Sequence, residues 1–129
     1  MSIPRYLYRG TTTLNYGGDL LLMHADPDPI DGFTDRIYFT DELDKARQYA
    51  WGYFGGNALM FEGSPMVLMV DTTKEPELRR ALRKGRSEPN EFYVPVGILR
   101  LRHPAIVISI GNFPSGFDVT LRRGPNSRW

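Results

Sequence analysis

The 129-residue sequence contains no cysteine and only two histidines, His24 and His103. The first absence excludes disulfides, thiolate nucleophiles and cysteine-ligated zinc, and it fits a reducing compartment. The histidines have no close partner at metal-ligand spacing, so no catalytic metal is expected. Long apolar runs are missing too. The longest, Met66-Val67-Leu68-Met69-Val70 and Ala105-Ile106-Val107-Ile108-Ser109-Ile110, fall far short of the roughly 20 residues that span a bilayer, and they read as buried strands. Met1-Ser2-Ile3-Pro4-Arg5 is not followed by the apolar stretch of a secretion signal, so none is expected. There is no internal repeat and no low-complexity tract.

What remains is an ordinary globular composition, 41% hydrophobic and 24% charged, in a length that suits one domain over residues 1–129 with one core. The net charge of +1 conceals an asymmetry: residues 1–70 hold five Lys/Arg against nine Asp/Glu, and residues 71–129 hold eleven against six. The densest basic stretch, Arg79-Arg80-Ala81-Leu82-Arg83-Lys84-Gly85-Arg86, reads either as a solvated helix face or as a grip for a phosphate-bearing partner.

Strands dominate the pattern. Tyr6-Leu7-Tyr8-Arg9 alternates and ends at Gly10, Asp19-Leu20-Leu21-Leu22-Met23 follows a Gly17-Gly18 turn, and an acidic loop follows Pro27 and Pro29. Arg36-Ile37-Tyr38-Phe39-Thr40 is a third strand. It leads into a helix capped by Thr40 or Asp41 that runs to about residue 53, with Ala46, Tyr49, Ala50 and Tyr53 on one face and Gly52, Gly55 and Gly56 ending it. A strand over 66–70, a basic helix over 76–84, a loop over 85–90, and strands starting at Glu91, at Gly97 and at Ala105 complete the core. Residues 111–129, with Arg122, Arg123 and Arg128, form a loose tail or an edge strand near 117–121. The predicted class is α+β.

Three short segments carry chemistry. In Leu7-Tyr8-Arg9-Gly10-Thr11, the arginine fork can hold a pyrophosphate or ribose edge through paired charge-assisted bonds, and Gly10 permits close approach of a ligand to the backbone; the same residues can also simply end a strand. In Ile37-Tyr38-Phe39-Thr40-Asp41, followed by Lys45-Ala46-Arg47-Gln48-Tyr49, two tyrosines eleven positions apart form either a core pair or an aromatic slot for a flat ring. In Asn90-Glu91-Phe92-Tyr93-Val94-Pro95, a glutamate opens a strand.

In this order the three segments resemble the ADP-ribosyltransferase superfamily, most closely its diphtheria-toxin and poly(ADP-ribose) polymerase branch, from Tyr6 to about residue 110. The polymerase pattern Ile-Tyr-Phe-Ala-Asp with a second tyrosine eleven positions on is similar to Tyr38 and Tyr49, and Asn-Glu-Tyr-Ile-Val is similar to the Glu91 segment. The resemblance implies two packed, strongly bent antiparallel or mixed sheets with flanking helices and a cleft that binds NAD as co-substrate. It implies that Glu91 bonds the ribose 2′-hydroxyl and stabilises the positive charge that develops as the nicotinamide bond breaks. It further implies that Tyr38 and Tyr49 sandwich the nicotinamide, that Gly10, assisted by Thr11 or Thr40, meets the carboxamide, and that Arg9 anchors the phosphates or the adenosine ribose.

The departures narrow the reading. Arg9 stands where this branch has histidine, which mixes two branches, and Ala46 stands where a carboxamide-binding serine is common. Pro89 occupies the position where a second acid or amide accompanies modification of protein arginines, with Glu88 one residue too far back. The resemblance implies a mono-ADP-ribosyltransferase acting on a macromolecular acceptor, protein or nucleic acid, as a toxin or effector in a cytoplasm, its own or a target cell's. A cognate inhibitor or antitoxin is an implied partner. A rifamycin-type small-molecule transferase, an NAD-dependent RNA 2′-phosphotransferase and a non-catalytic nucleotide- or nucleic-acid-binding module are the alternatives.

Overall fold

The computed structural model describes residues 2–13, 18–25, 36–50, 65–86 and 89–108. The acidic loop after Pro27, the helix residues beyond Ala50 with their glycines, and the tail with Arg122, Arg123 and Arg128 lie outside the described residues. In chain order the elements are β1 (Tyr6–Thr12), β2 (Leu22–His24), β3 (Ile37–Thr40), α1 (Leu43–Ala50), β4 (Pro65–Asp71), a 3-10 turn (Thr72–Lys74), α2 (Pro76–Ala81), β5 (Arg83–Lys84), β6 (Glu91–Val94), β7 (Ile98–Arg100) and β8 (Ile106–Ile108). The class is α+β, as the sequence predicts. A six-stranded sheet has the order β5-β6-β3-β1-β4-β8, and β2 pairs with β7 in a second, smaller sheet. Among the described residues every strand pairing is antiparallel.

Alternation along the strands gives the large sheet two unlike faces. Leu7, Ile37, Phe39, Leu68, Val70, Phe92 and Val94 point to one side, where they bury against Met23 of β2, Leu78 of α2, Leu82, Leu101 and Ala105. This is the main core. On the other side Tyr8, Val67 and Ile108 receive α1 through Ala46 and Ala50. Those alanines are four apart on a helix whose first free N–H groups are met in part by Thr40, whose hydroxyl oxygen accepts from the Glu42 N–H at 3.1 Å.

Small residues bring the helix backbone onto the sheet. A Cβ added at Gly10 would lie 2.1 Å from the Ala46 carbonyl oxygen and 2.7 Å from the Ala50 nitrogen, so only glycine lets α1 lie this close. The glycine does not end the strand, as the sequence had suggested. β1 runs on to Thr12, paired residue for residue with β4 from Tyr6–Asp71 to Thr12–Pro65.

The basic helix is shorter than predicted. It stops at Ala81 because Leu82 turns to extended geometry, with φ −64° and ψ 138°, and buries its side chain among Leu78 and Phe92 in the core. Arg83 and Lys84 then join the sheet as its edge strand, where exposed cations deter pairing with another chain. The predicted second strand also shifts: Asp19–Leu21 form a turn in which the Leu21 N–H donates to the Asp19 carboxylate at 2.9 Å, and pairing starts at Leu22.

Glu75, only 3% exposed, fastens the connection between β7 and β8. Its carboxylate accepts from the Arg102 N–H at 2.6 Å and the His103 N–H at 3.0 Å, and it lies 3.1 Å from His103 Nδ1. No helix among the described residues is long and apolar enough to cross a membrane.

Gly10→Ala forces a methyl into the α1 backbone, which cannot retreat as a flexible side chain would. The expected cost is about 3 kcal/mol or more, read as a lowered urea midpoint, with α1 amides losing hydrogen-exchange protection before those of β6. An unchanged midpoint would refute this account of the helix seat.

Candidate active site

Strand register brings distant residues into rows. Tyr8 of β1 lies opposite Thr40 of β3, and Thr40 lies opposite Glu91 of β6. Opposed residues in antiparallel strands share a face, so Tyr8, Thr40 and Glu91 stand abreast on the side of the sheet that carries α1. One rung along, about 7 Å away by the strand rise, Tyr38 lies opposite Tyr93, and Tyr93 opposite Arg83. The Tyr38 and Tyr93 rings are 5.9 Å apart and tilted by 44°. The Arg36 guanidinium stacks 4.6 Å from the Tyr93 ring centre. Tyr38, 38% exposed, presents its ring outward.

Glu91 is half-buried, and among the described residues no hydrogen bond reaches its carboxylate. Burial raises its pKa above the ordinary carboxylate range, and the positive charges of Lys45 and Arg36 oppose the shift without cancelling it. Tyr49 of α1 belongs to the same electrostatic neighbourhood. Its phenol pKa is pushed up first by burial, then by the negative charges of Glu91 and Glu42. The helix therefore contributes Lys45 and Tyr49, four residues apart, to the side on which Glu91 sits. The chain entering Glu91 is fixed by the Asp41 N–H, which donates to the Asn90 carbonyl at 3.4 Å, and by the Gly85 N–H, which donates to the Glu91 carbonyl at 2.8 Å.

The structure thus gathers Tyr38, Thr40, Tyr49 and Glu91 on one face. Arg9 and Thr11 point to the other. Arg9 is 4% exposed; its Nη1 donates to the Tyr38 carbonyl at 3.1 Å and its Nη2 to the His24 carbonyl at 2.6 Å. Gly10 lies between them, and the close approach it permits on its Cα side is made by α1. The predicted basic run disperses. Arg79 donates to the Thr72 hydroxyl at 3.1 Å, Lys84 lies 4.6 Å from the Phe92 ring centre and donates to the Pro89 carbonyl, and Arg83 alone of them is in register with the site.

Tyr93, Arg36, Lys45 and Gly85 had no assigned role in the sequence. Alternation from Glu91 identifies Tyr93, helical spacing from Tyr49 identifies Lys45, and no local signal identifies Gly85. An open cavity of about 500 Å³, lined by Glu42, Leu43, Asp44, Lys45 and Gln48, adjoins this neighbourhood through Glu42 and Lys45. Among the described residues no three side chains converge as a metal site requires. No family model, curated protein or solved structure matches the chain.

The Glu91 shift has a signed consequence for stability. A carboxyl whose folded pKa is raised favours the folded state while protonated and loses that contribution as pH rises through the folded value. Glu91→Gln should therefore melt close to the parent below pH 4.5, the ordinary value, then above it by a margin that opens with rising pH and stays constant past the folded pKa. Thermal melts from pH 4 to 8 check this; a variant less stable than the parent at pH 7 contradicts it.

Proposed function

We propose that the protein is a mono-ADP-ribosyltransferase that cleaves NAD at the nicotinamide glycosidic bond and passes ADP-ribose to a macromolecular acceptor, in the manner of a toxin or effector. The observation that carries this reading is the convergence of Glu91, Tyr38 and Tyr49 on one sheet face, with Glu91 half-buried and its carboxylate without a hydrogen bond among the described residues. A carboxylate used for structure is saturated with donors, as Glu75 is; one kept for a substrate hydroxyl is not.

The surrounding groups fit the parts of NAD. Tyr49 and Tyr38 offer aromatic faces for a planar, cationic ring, and Glu91 adds an attractive negative charge. The glycosidic bond breaks with its electron pair departing on nicotinamide, and an acceptor atom bonds the ribosyl carbon with loss of its proton. A fixed carboxylate beside that carbon lowers the barrier because it meets more positive charge in the transition state than in the substrate's ribose.

With Arg9 engaged on two carbonyls, the diphosphate in this reading lies toward Arg36 and Arg83, about one rung from Glu91. Arg9 then acts as a brace for the Tyr38 backbone. The dispersal of the 79–86 cations over a helix, an edge strand and the main-chain contacts disfavours a nucleic-acid grip built on that run.

Incubation of the protein with NAD and a cell lysate should release free nicotinamide. Glu91→Gln should reduce the rate by about a hundredfold or more, and Tyr49→Ala should raise KM for NAD by about tenfold. Absence of release from the parent protein, or equal release from Glu91→Gln, rejects the enzyme. Transfer to a macromolecule, as opposed to water, is read by mass spectrometry of the lysate with labelled NAD.

A further inference from the structure

The hairpin that carries Glu91 is closed more tightly at its base than a β ladder allows. Arg83 pairs with Tyr93 and Lys84 with Phe92, so the next rung opposes Gly85 to Glu91. Directly opposed Cβ atoms in antiparallel strands normally stand about 4.5–5.5 Å apart. A Cβ placed on Gly85 would be 2.8 Å from Glu91 Cβ, 2.6 Å from its Cγ and 2.5 Å from its Oε1.

These three nearest neighbours all belong to Glu91. Two of them are the stem of the side chain, which no rotation of the carboxylate moves out of the way. Gly18 is the one described glycine with positive φ, so the Gly85 backbone is open to alanine. Conformational freedom is not what a glycine supplies here. What it supplies is room for the Glu91 stem to lie flat against the turn, held there by the Gly85 N–H on the Glu91 carbonyl at 2.8 Å.

We propose that Gly85 is a positioning residue for Glu91: its bare Cα seats the glutamate stem and so fixes where the carboxylate stands relative to Tyr49 and Lys45. Its catalytic consequence rests on the ADP-ribosyltransferase reading; its structural content does not. A methyl at Gly85 must push the Glu91 stem away by about an ångström to move its Cβ and Cγ from 2.8 and 2.6 Å out to the 3.4–4 Å of ordinary contact. Displacement of that size at a reacting centre costs about a hundredfold in rate when binding is otherwise intact.

Gly85→Ala is the test, with three readouts. Nicotinamide release should lose about a hundredfold in kcat with KM for NAD within about twofold, because the rings and cations that hold the substrate stay in place. The Glu91 carboxyl, followed by carbon-13 NMR titration of the full chain, should titrate nearer its ordinary value as it swings toward solvent. The stability lost on Gly85→Ala should vanish in a Glu91→Gly background, where no stem remains to collide with.

An unchanged kcat together with an unchanged Glu91 titration overturns the proposal. So does an equal stability cost in both backgrounds, or unfolding of Gly85→Ala both alone and with Glu91→Gly. If the single variant unfolds and the double variant folds, the seat is established. If Glu91→Gln still releases nicotinamide, the enzymatic reading falls, while the titration and the stability cycle continue to decide the fate of the seat.

Discussion

A guanidinium moved out of water forfeits hydration worth several kcal/mol unless its donors are met. Arg9 meets its donors on the backbone oxygens of Tyr38 and His24. One of those strands belongs to the large sheet and the other to the small one, so a single side chain rooted in the central strand joins both. The ladder between β1 and β3 is reduced to one register pair, Tyr8 with Thr40. The side chain therefore supplies a link that main-chain bonds supply elsewhere. The position of Tyr38, and through β3 that of β6 and Glu91, depends on this brace. Lysine could not replace it, since a point charge on a flexible stem lacks the planar fork that meets two carbonyls at once.

Among the described residues, two glutamates are buried or half-buried, and they are held in opposite ways. Glu75 takes two main-chain N–H donors and lies against His103, which makes a fully buried carboxylate tolerable and pins the turn after β7. Among the described residues Glu91 takes none, and its burial is opposed by the charges of Lys45 and Arg36. Such a group weakens the fold that holds it, and the surplus burial on the opposite face, from Leu7, Ile37, Phe39 and Phe92, bears that cost.

Much of this was legible in the residues. Two-residue alternation in Tyr6-Leu7-Tyr8 and in Ile37-Tyr38-Phe39 marks strands with one apolar side, and the spacing of Tyr38 from Tyr49 pairs a strand with a helix. Alternation also contains the orientation of Arg9: if Tyr8 faces the glutamate row, the next side chain faces away. A motif read by position rather than by face does not reveal that. The edge strand β5 escaped because two basic residues after an amphipathic helix continue the helical pattern, and only the burial of Leu82 and the free edge of β6 end it. The relation of Gly85 to Glu91 escaped because it is a cross-hairpin contact between residues separated by a loop with no periodicity.

Two of the glycines answer to different demands, and this bears on how descent would shape the chain. Gly10 is required by the fold itself, whatever the protein does, so a relative that had lost all chemistry would still keep it for the sake of the helix above. Gly85 is required only as long as the glutamate opposite must stand where it does. Variation confined to the second glycine, arising together with variation at position 91, would mark lineages in which the scaffold outlived its task.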